Sequence, residues 1–198
     1  MSARLPRLIV VADLEAAPGP LPDIVAGAVE HGARAVLLRM RHADATTREA
    51  LTVAVRDILQ PVDGLLIVAG PPSREPGAAA VHLTAFQALP DPRPRMMGRS
   101  CHDVMEVARA ANEGCDYIFV SPVYETASKP GYGPALGPTG LAALCRHAPM
   151  PVFALGGMLP ENVAACRGSG AYGVAVMGPV LHDPTVVEKY LHALEECS

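Results

Sequence analysis

The stretch Val152-Phe-Ala-Leu-Gly-Gly157, with Pro160–Ser169 behind it and Gly173-Val-Ala-Val-Met-Gly178 closing it, decides the fold. A short apolar run ends in two glycines, a helix opens with proline, and a second apolar run ends in glycine. Runs rich in Val, Ile or Leu without polar alternation read as strands buried on both faces. Proline suits the first turn of a helix, so Pro160 marks its start. The unit is therefore strand, turn, helix, strand. Working outward, runs of the same kind recur at Leu8–Val11, Ala35–Leu38, Leu65–Val68, Ala79–Leu83, Met96–Ser100 and Tyr117–Val120. Helical segments lie between most of them. Thr46–Gln60 carries Thr46 and Glu49 as a capping box, with Leu51, Val55 and Ile58 on one face. Asp103–Glu113 starts on Asp103, and Asp183-Pro184 launches a last helix. Pro20–His31 and Gly140–Ala148 complete the set.

Eight strands alternating with helices in 198 residues predict an α/β chain. The expected form is a single compact (β/α)8 TIM barrel over residues 1–198, near the lower size limit of about 200 for that fold. A doubly wound open sheet is the rival, and the regular spacing favours closure. Six prolines in Ala69–Arg95 leave little room for full helices after strands three and four.

Composition narrows the class. The chain has 20 Pro, 18 Gly, no Trp and a net charge of −4. No basic block tracks a nucleic-acid backbone. The five cysteines are odd in number, widely spaced and form no CxxC pair, which argues against both a disulfide framework and a zinc site and suits a reducing cytoplasm. The N-terminus is too polar for a signal peptide, and no apolar stretch reaches membrane-spanning length. The expected partners are small molecules, without nucleic acid or membrane, and with room for a homo-oligomer.

In a barrel the loops after the strands carry the chemistry. Gly156, Gly157 and Gly178 allow backbone N–H groups to approach a phosphate. The long loop Ser121–Pro138 offers Thr126, Ser128 and Lys129 as anion donors. Arg39 and Arg41 flank Met40 with strand alternation and suit a phosphate or carboxylate. His102 follows a strand end and can move protons near neutrality. Cys101 beside it lacks an orienting group, which argues against a thiol nucleophile.

These residues carry a resemblance. Gly98-Arg-Ser-Cys-His102, Ser121-Pro-Val-Tyr-Glu-Thr126 with Lys129-Pro-Gly131, Ala154-Leu-Gly-Gly157 and Gly173-Val-Ala-Val-Met-Gly178 resemble the thiamine-phosphate synthase/TenI family. The resemblance spans about Met97–His182 and is weak before it. It implies a (β/α)8 barrel and one of two activities. A synthase joins a pyrimidine pyrophosphate to a thiazole phosphate and releases pyrophosphate with magnesium. A TenI-type tautomerase aromatises a thiazole phosphate carboxylate without metal.

The synthase pattern expects carboxylates where this chain has Val68-Ala-Gly70 and Phe86-Gln-Ala-Leu89. Its basic stretch after strand two survives in part, as Leu37-Leu-Arg-Met-Arg41. Magnesium needs oxygen ligands, so the tautomerase is the expected activity, with magnesium needed only by the synthase. A non-catalytic phosphate-binding barrel and a lyase using Lys129 as a Schiff base are the further alternatives. In the tautomerase reading His102 is the general acid/base. The phosphate rests on Gly156, Gly157, Met177 and Gly178. Arg39, Arg41, Ser100, Thr126 and Lys129 remain for the rest of the substrate.

Overall fold

Eight strands form in the computed structural model, which describes residues 5–70, 80–126 and 134–197. They are β1 Leu8–Asp13, β2 Ala35–Arg39, β3 Leu65–Ala69, β4 Ala80–Leu83, β5 Met96–Cys101, β6 Tyr117–Val120, β7 Val152–Ala154 and β8 Gly173–Val176. Each pairs in parallel with its sequence neighbours, and β1 also pairs with β8, so the sheet closes. The rival open sheet is excluded by that last pairing.

Period-2 alternation sorts every strand into two cores. Leu8, Val10, Val36, Leu38, Leu66, Val68, Ile118, Val120, Val174 and Val176 face outward and pack against the helices. Ile9, Val11, Ala35, Leu37, Ile67, Ala80, Tyr117, Phe119, Phe153 and Ala175 fill the lumen. Both faces are apolar, which is why the strands read as continuous runs rather than alternating ones. The chain has few aromatics, yet three of them pack together in the lumen. Tyr117 and Phe153 stand edge to face at 5.8 Å, and Phe119 lies 6.0 Å from Phe153. Gly98 on β5 makes room for them, since a Cβ there would stand 2.1 Å from the Tyr117 ring.

The helices are α1 Leu21–Glu30, α2 Ala45–Leu59, α3 Val104–Asn112, α4 Gly137–His147, α5 Val163–Gly168, α6 Gly178–His182 and α7 Val187–Glu195. The expected capping box at Thr46 is not the cap of α2. The helix starts one residue earlier, and the Asp44 carboxylate takes the Thr47 N–H at 2.8 Å. An aspartate in extended backbone just ahead of Thr46 reaches that N–H first. Asp103 caps α3 as expected, accepting from Glu106 N–H at 2.8 Å. Pro160 and Pro184 each open a 3₁₀ turn that leads into α5 and α7. The five-residue α6 straight after β8 was not anticipated, and α4 begins three residues before the expected Gly140.

No helix follows β4, which agrees with the prolines. Arg99 supplies the missing support. It points outward from β5, is fully buried, and donates through Nη1 to the carbonyls of Thr84, Ala85 and Gln87 at 2.7, 3.2 and 2.9 Å. Its other nitrogen meets Glu113 at 2.6 Å. One planar fork thus ties the β4–β5 connection to the end of α3. Residues 71–79, which include Ala79 of the expected fourth strand, lie outside the described residues. Among the described residues no helix is long and apolar enough to cross a membrane.

Candidate functional site

Two adjoining cavities open where the strands end. The first, of about 550 Å³, is lined by Asp13, Glu15, Arg39, Arg41, Thr126, Gly156, Gly157, Met177 and Gly178 among others. The second, of about 490 Å³, reaches down to His82, Gln87, Ser100 and Phe119. Val11, Arg39, Arg41 and Leu155 belong to both walls. The fold thus gathers seven of the expected residues into one cavity and places Ser100 in its neighbour. Lys129 and Ser128 lie outside the described residues.

The glycine turn after β7 is shaped by the loop that crosses it. Gly156 and Gly157 have φ of +96° and +60°, a region that costs other residues steric strain. A Cβ on Gly157 would also stand 2.3 Å from the Glu125 carbonyl oxygen. The first part of the β6–α4 loop lies this close because Val123 N–H donates to Leu155 and Tyr124 N–H to Gly156, at 2.9 and 3.0 Å. Asn162 ties the other side, with its amide on the Gly157 carbonyl at 3.2 Å. Gly178 differs. A Cβ there would meet nothing within 4 Å, so the space beside it is open. It opens α6, whose first-turn N–H groups have no acceptor inside the helix. Backbone donors and open space together suit a phosphate.

The arginine side is pre-set by acids that the motif search passed over. Arg39 Nη2 meets Asp13 Oδ2 at 2.6 Å, and the other Asp13 oxygen accepts from Glu15 N–H at 3.0 Å. Burial pushes the Asp13 carboxyl up, the Glu15 carboxyl adds to that, and the Arg39 charge pulls against both. Burial would raise Glu15 too, but the His42 N–H at 3.0 Å and the bond to Asp13 outweigh it and hold the group low. The strand alternation behind the Arg39/Arg41 pair is present: Met40 between them is buried in the outer core while both arginines line the cavities.

His102 lines neither cavity. Its Nδ1 sits 2.5 Å from the Ser121 carbonyl, and its backbone N–H donates to Glu106 at 2.7 Å. A carbonyl only accepts, so Nδ1 carries the hydrogen and neutral His102 keeps its lone pair on Nε2. The ring therefore stands behind the Ser121 edge of the first cavity rather than among the phosphate donors. Cys101 is fully buried, and burial pushes its thiol up to about 12. It is no thiolate at neutral pH.

The histidine in the second cavity is His82, which the motifs did not single out. Its ring lies 4.2 Å from Phe119, centre to centre. Its Nδ1 is 3.2 Å from the Tyr117 hydroxyl and its Nε2 is 3.0 Å from Ser100 Oγ. Burial, with Arg99 nearby, pushes it down to about 3. The available signal was parity: His82 falls two residues after lumen-facing Ala80, so β4 must aim it inward.

A magnesium ion, which the resemblance attaches to synthase chemistry, does not fit the described residues. The ends of β3 and β4 present Ala69-Gly70 and Thr84–Gln87, without a carboxylate. Among the described residues no three His, Cys, Asp or Glu side chains are grouped to hold a metal. Asp13 and Glu15 at the mouth are already engaged.

Comparison with known proteins places this geometry. The model of the family described as thiamine monophosphate synthase matches residues 8–180. A thiamine-phosphate synthase of Chloroflexus aurantiacus is 30% identical over 203 aligned residues, covering 95% of this chain and 92% of that protein. One from Salinispora tropica is 32% identical and covers 90% of each. The structure of thiamine phosphate pyrophosphorylase from Pyrococcus furiosus superposes with a TM-score of 0.84 over 96% of both chains at 23% identity, which speaks for the fold. With its glycine turns, its arginine pair and its closed eight-stranded barrel, the chain belongs to the thiamine monophosphate synthase/TenI family.

Proposed function

We propose that this chain is a transferase of thiamine biosynthesis that joins a thiazole phosphate to a pyrimidine pyrophosphate and releases pyrophosphate. This reverses the order expected from sequence, where the tautomerase came first. One observation carries the reading: two cavities of about 550 and 490 Å³ meet at Arg39 and Arg41. Two substrates can lie on either side of that pair. The thiazole phosphate takes the first cavity, with its phosphate on Gly156, Gly157, Met177 and Gly178. The pyrimidine takes the second, against Phe119. Its pyrophosphate then lies beside both guanidiniums, which stabilise the negative charge that grows as it departs. Thr126 adds a hydroxyl at the rim. The names of the curated relatives support the same reading.

The tautomerase is the second reading, and the strand ends without carboxylates favour it. It needs one substrate, no metal, and His102 moving the proton through Nε2. The deciding experiment supplies both substrates, with magnesium and with chelator, and follows thiamine phosphate by chromatography. Product formation supports the transferase. Aromatisation of a thiazole phosphate carboxylate without coupling overturns it, and His102→Asn would then slow that step by ~10²–10⁴-fold. Binding of the thiazole phosphate with neither reaction returns the barrel to a binding role.

A further inference from the structure

The turn after β7 is held from behind at four consecutive carbonyls. Leu155 accepts from Val123 N–H at 2.9 Å, Gly156 from Tyr124 N–H at 3.0 Å and Gly157 from the Asn162 amide at 3.2 Å. The fourth carbonyl, of Met158, accepts from the Tyr190 hydroxyl at 2.8 Å. Tyr190 belongs to α7, 32 residues further along the chain, and is fully buried. Burial, with the Glu161 charge adding to it, holds the phenol above its ordinary range, so it keeps the hydrogen that it donates.

In a trans peptide the carbonyl and the N–H that follows it point in opposite directions. Drawing the Leu155, Gly156 and Gly157 carbonyls back therefore turns the N–H groups of Gly156, Gly157 and Met158 away from the supporting elements. All three residues line the first cavity, and among the described residues none of the three N–H groups has an acceptor. Successive N–H groups on a left-handed turn form an anion-binding hollow. The row stops at Leu159, whose N–H is taken by Asn162 Oδ1 at 3.1 Å. The two peptides on either side of Met158 thus set where its N–H points. Asn162 sits only three to five residues from the groups it holds, so it moves with the turn. Tyr190 ties the turn to a separate helix, which Val187 and Leu194 anchor in the outer core.

We infer that Tyr190 is a positioning residue for the first cavity: it holds the Met158 carbonyl so that the Met158 N–H stands as a third anion donor beside Gly156 and Gly157. The ligand class is a phosphate monoester. The inference rests on the placement of the thiazole phosphate on this turn. It goes beyond that placement by giving the last helix, which lies outside every motif, a hold on the site.

The test is an ¹H–¹⁵N NMR titration with inorganic phosphate, which needs no turnover. In wild type the amides of Gly156, Gly157 and Met158 should shift together and give one Kd. In Tyr190→Phe, which keeps the buried ring, that Kd should rise ~3–10-fold, with the Met158 shift reduced most. Tyr172→Phe removes a hydroxyl that donates to the Leu5 carbonyl before β1 and should leave the Kd unchanged. An unchanged Kd in Tyr190→Phe overturns the positioning role and leaves the phosphate site standing. An equal rise in Tyr172→Phe also overturns it, because lost stability alone would then weaken binding. Wild-type amides that ignore phosphate overturn the phosphate placement and the role of Tyr190 together. If thiamine phosphate is formed, Tyr190→Phe should raise KM for the thiazole phosphate by the same factor. KM for the pyrimidine pyrophosphate should be unchanged, and an equal rise in both overturns the assignment to the first cavity.

Discussion

Glycines that look alike in the sequence do different work. Gly157 is glycine because its backbone is left-handed and the Glu125 carbonyl leaves no room for a Cβ. Gly178 has neither constraint, since a Cβ there points into open space. The two separate stability from binding. Gly157→Ala should destabilise the fold by about 2 kcal/mol or more, from the positive φ and the forced contact. Gly178→Val should leave the urea midpoint within error while weakening thiazole phosphate binding at least ~10-fold, by filling the cradle. Unfolding curves and calorimetric titration of the same two variants check both. Equal affinity in Gly178→Val and wild type would remove that glycine from the phosphate site.

Between elements, the β4–β5 connection shows how a barrel works with a missing helix. The carbonyls of Thr84, Ala85 and Gln87 converge on Arg99, and Glu113 closes the other side. Thr84 and Gln87 also line the second cavity, so the arginine supports the site from behind. Arg99→Met keeps much of the volume but leaves Glu113 with Arg109 alone, at 2.8 Å, and frees the carbonyls of Thr84 and Gln87. Breaking a buried pair costs ~3–5 kcal/mol when the remaining charge is left alone, and the surviving Arg109 contact puts this one at the low end of that range. The unfolding free energy should fall by about that much, with faster amide exchange over 84–89 than elsewhere. Loss of stability with no local change in exchange would mean that the fork does not hold this loop. The motif Gly98-Arg-Ser was visible in the sequence, but nothing in it said that its arginine faces the helices while its serine faces the cavity. Strand parity decides that, and parity needs the register of β5.

Across the molecule, the two cavities are joined only through a shared wall. Arg39 is part of that wall and is held by Asp13 at 2.6 Å from the next strand. Arg39→Met should therefore raise KM for both substrates in the coupling assay, by ~10-fold or more each, since a charge-assisted contact is lost on both sides. Gly178→Val should raise one only. A change confined to one substrate in Arg39→Met would show that the cavities do not share this residue in function.

All eight strands, the helix starts at Asp103, Pro160 and Pro184, and the glycine turn after β7 were legible in the sequence. They rest on local preferences: apolar runs buried on both faces, carboxylate caps, and proline and glycine where the backbone demands them. The family motifs were legible for the same reason, as they lie in single loops. Tertiary structure alone decided which side chains meet. It put Arg39 against Asp13, set His102 behind the Ser121 carbonyl, and brought His82, Tyr117 and Ser100 together from three strands. Those pairings depend on the stagger between neighbouring strands and on closure of β8 onto β1, and both are properties of the closed sheet rather than of any one segment.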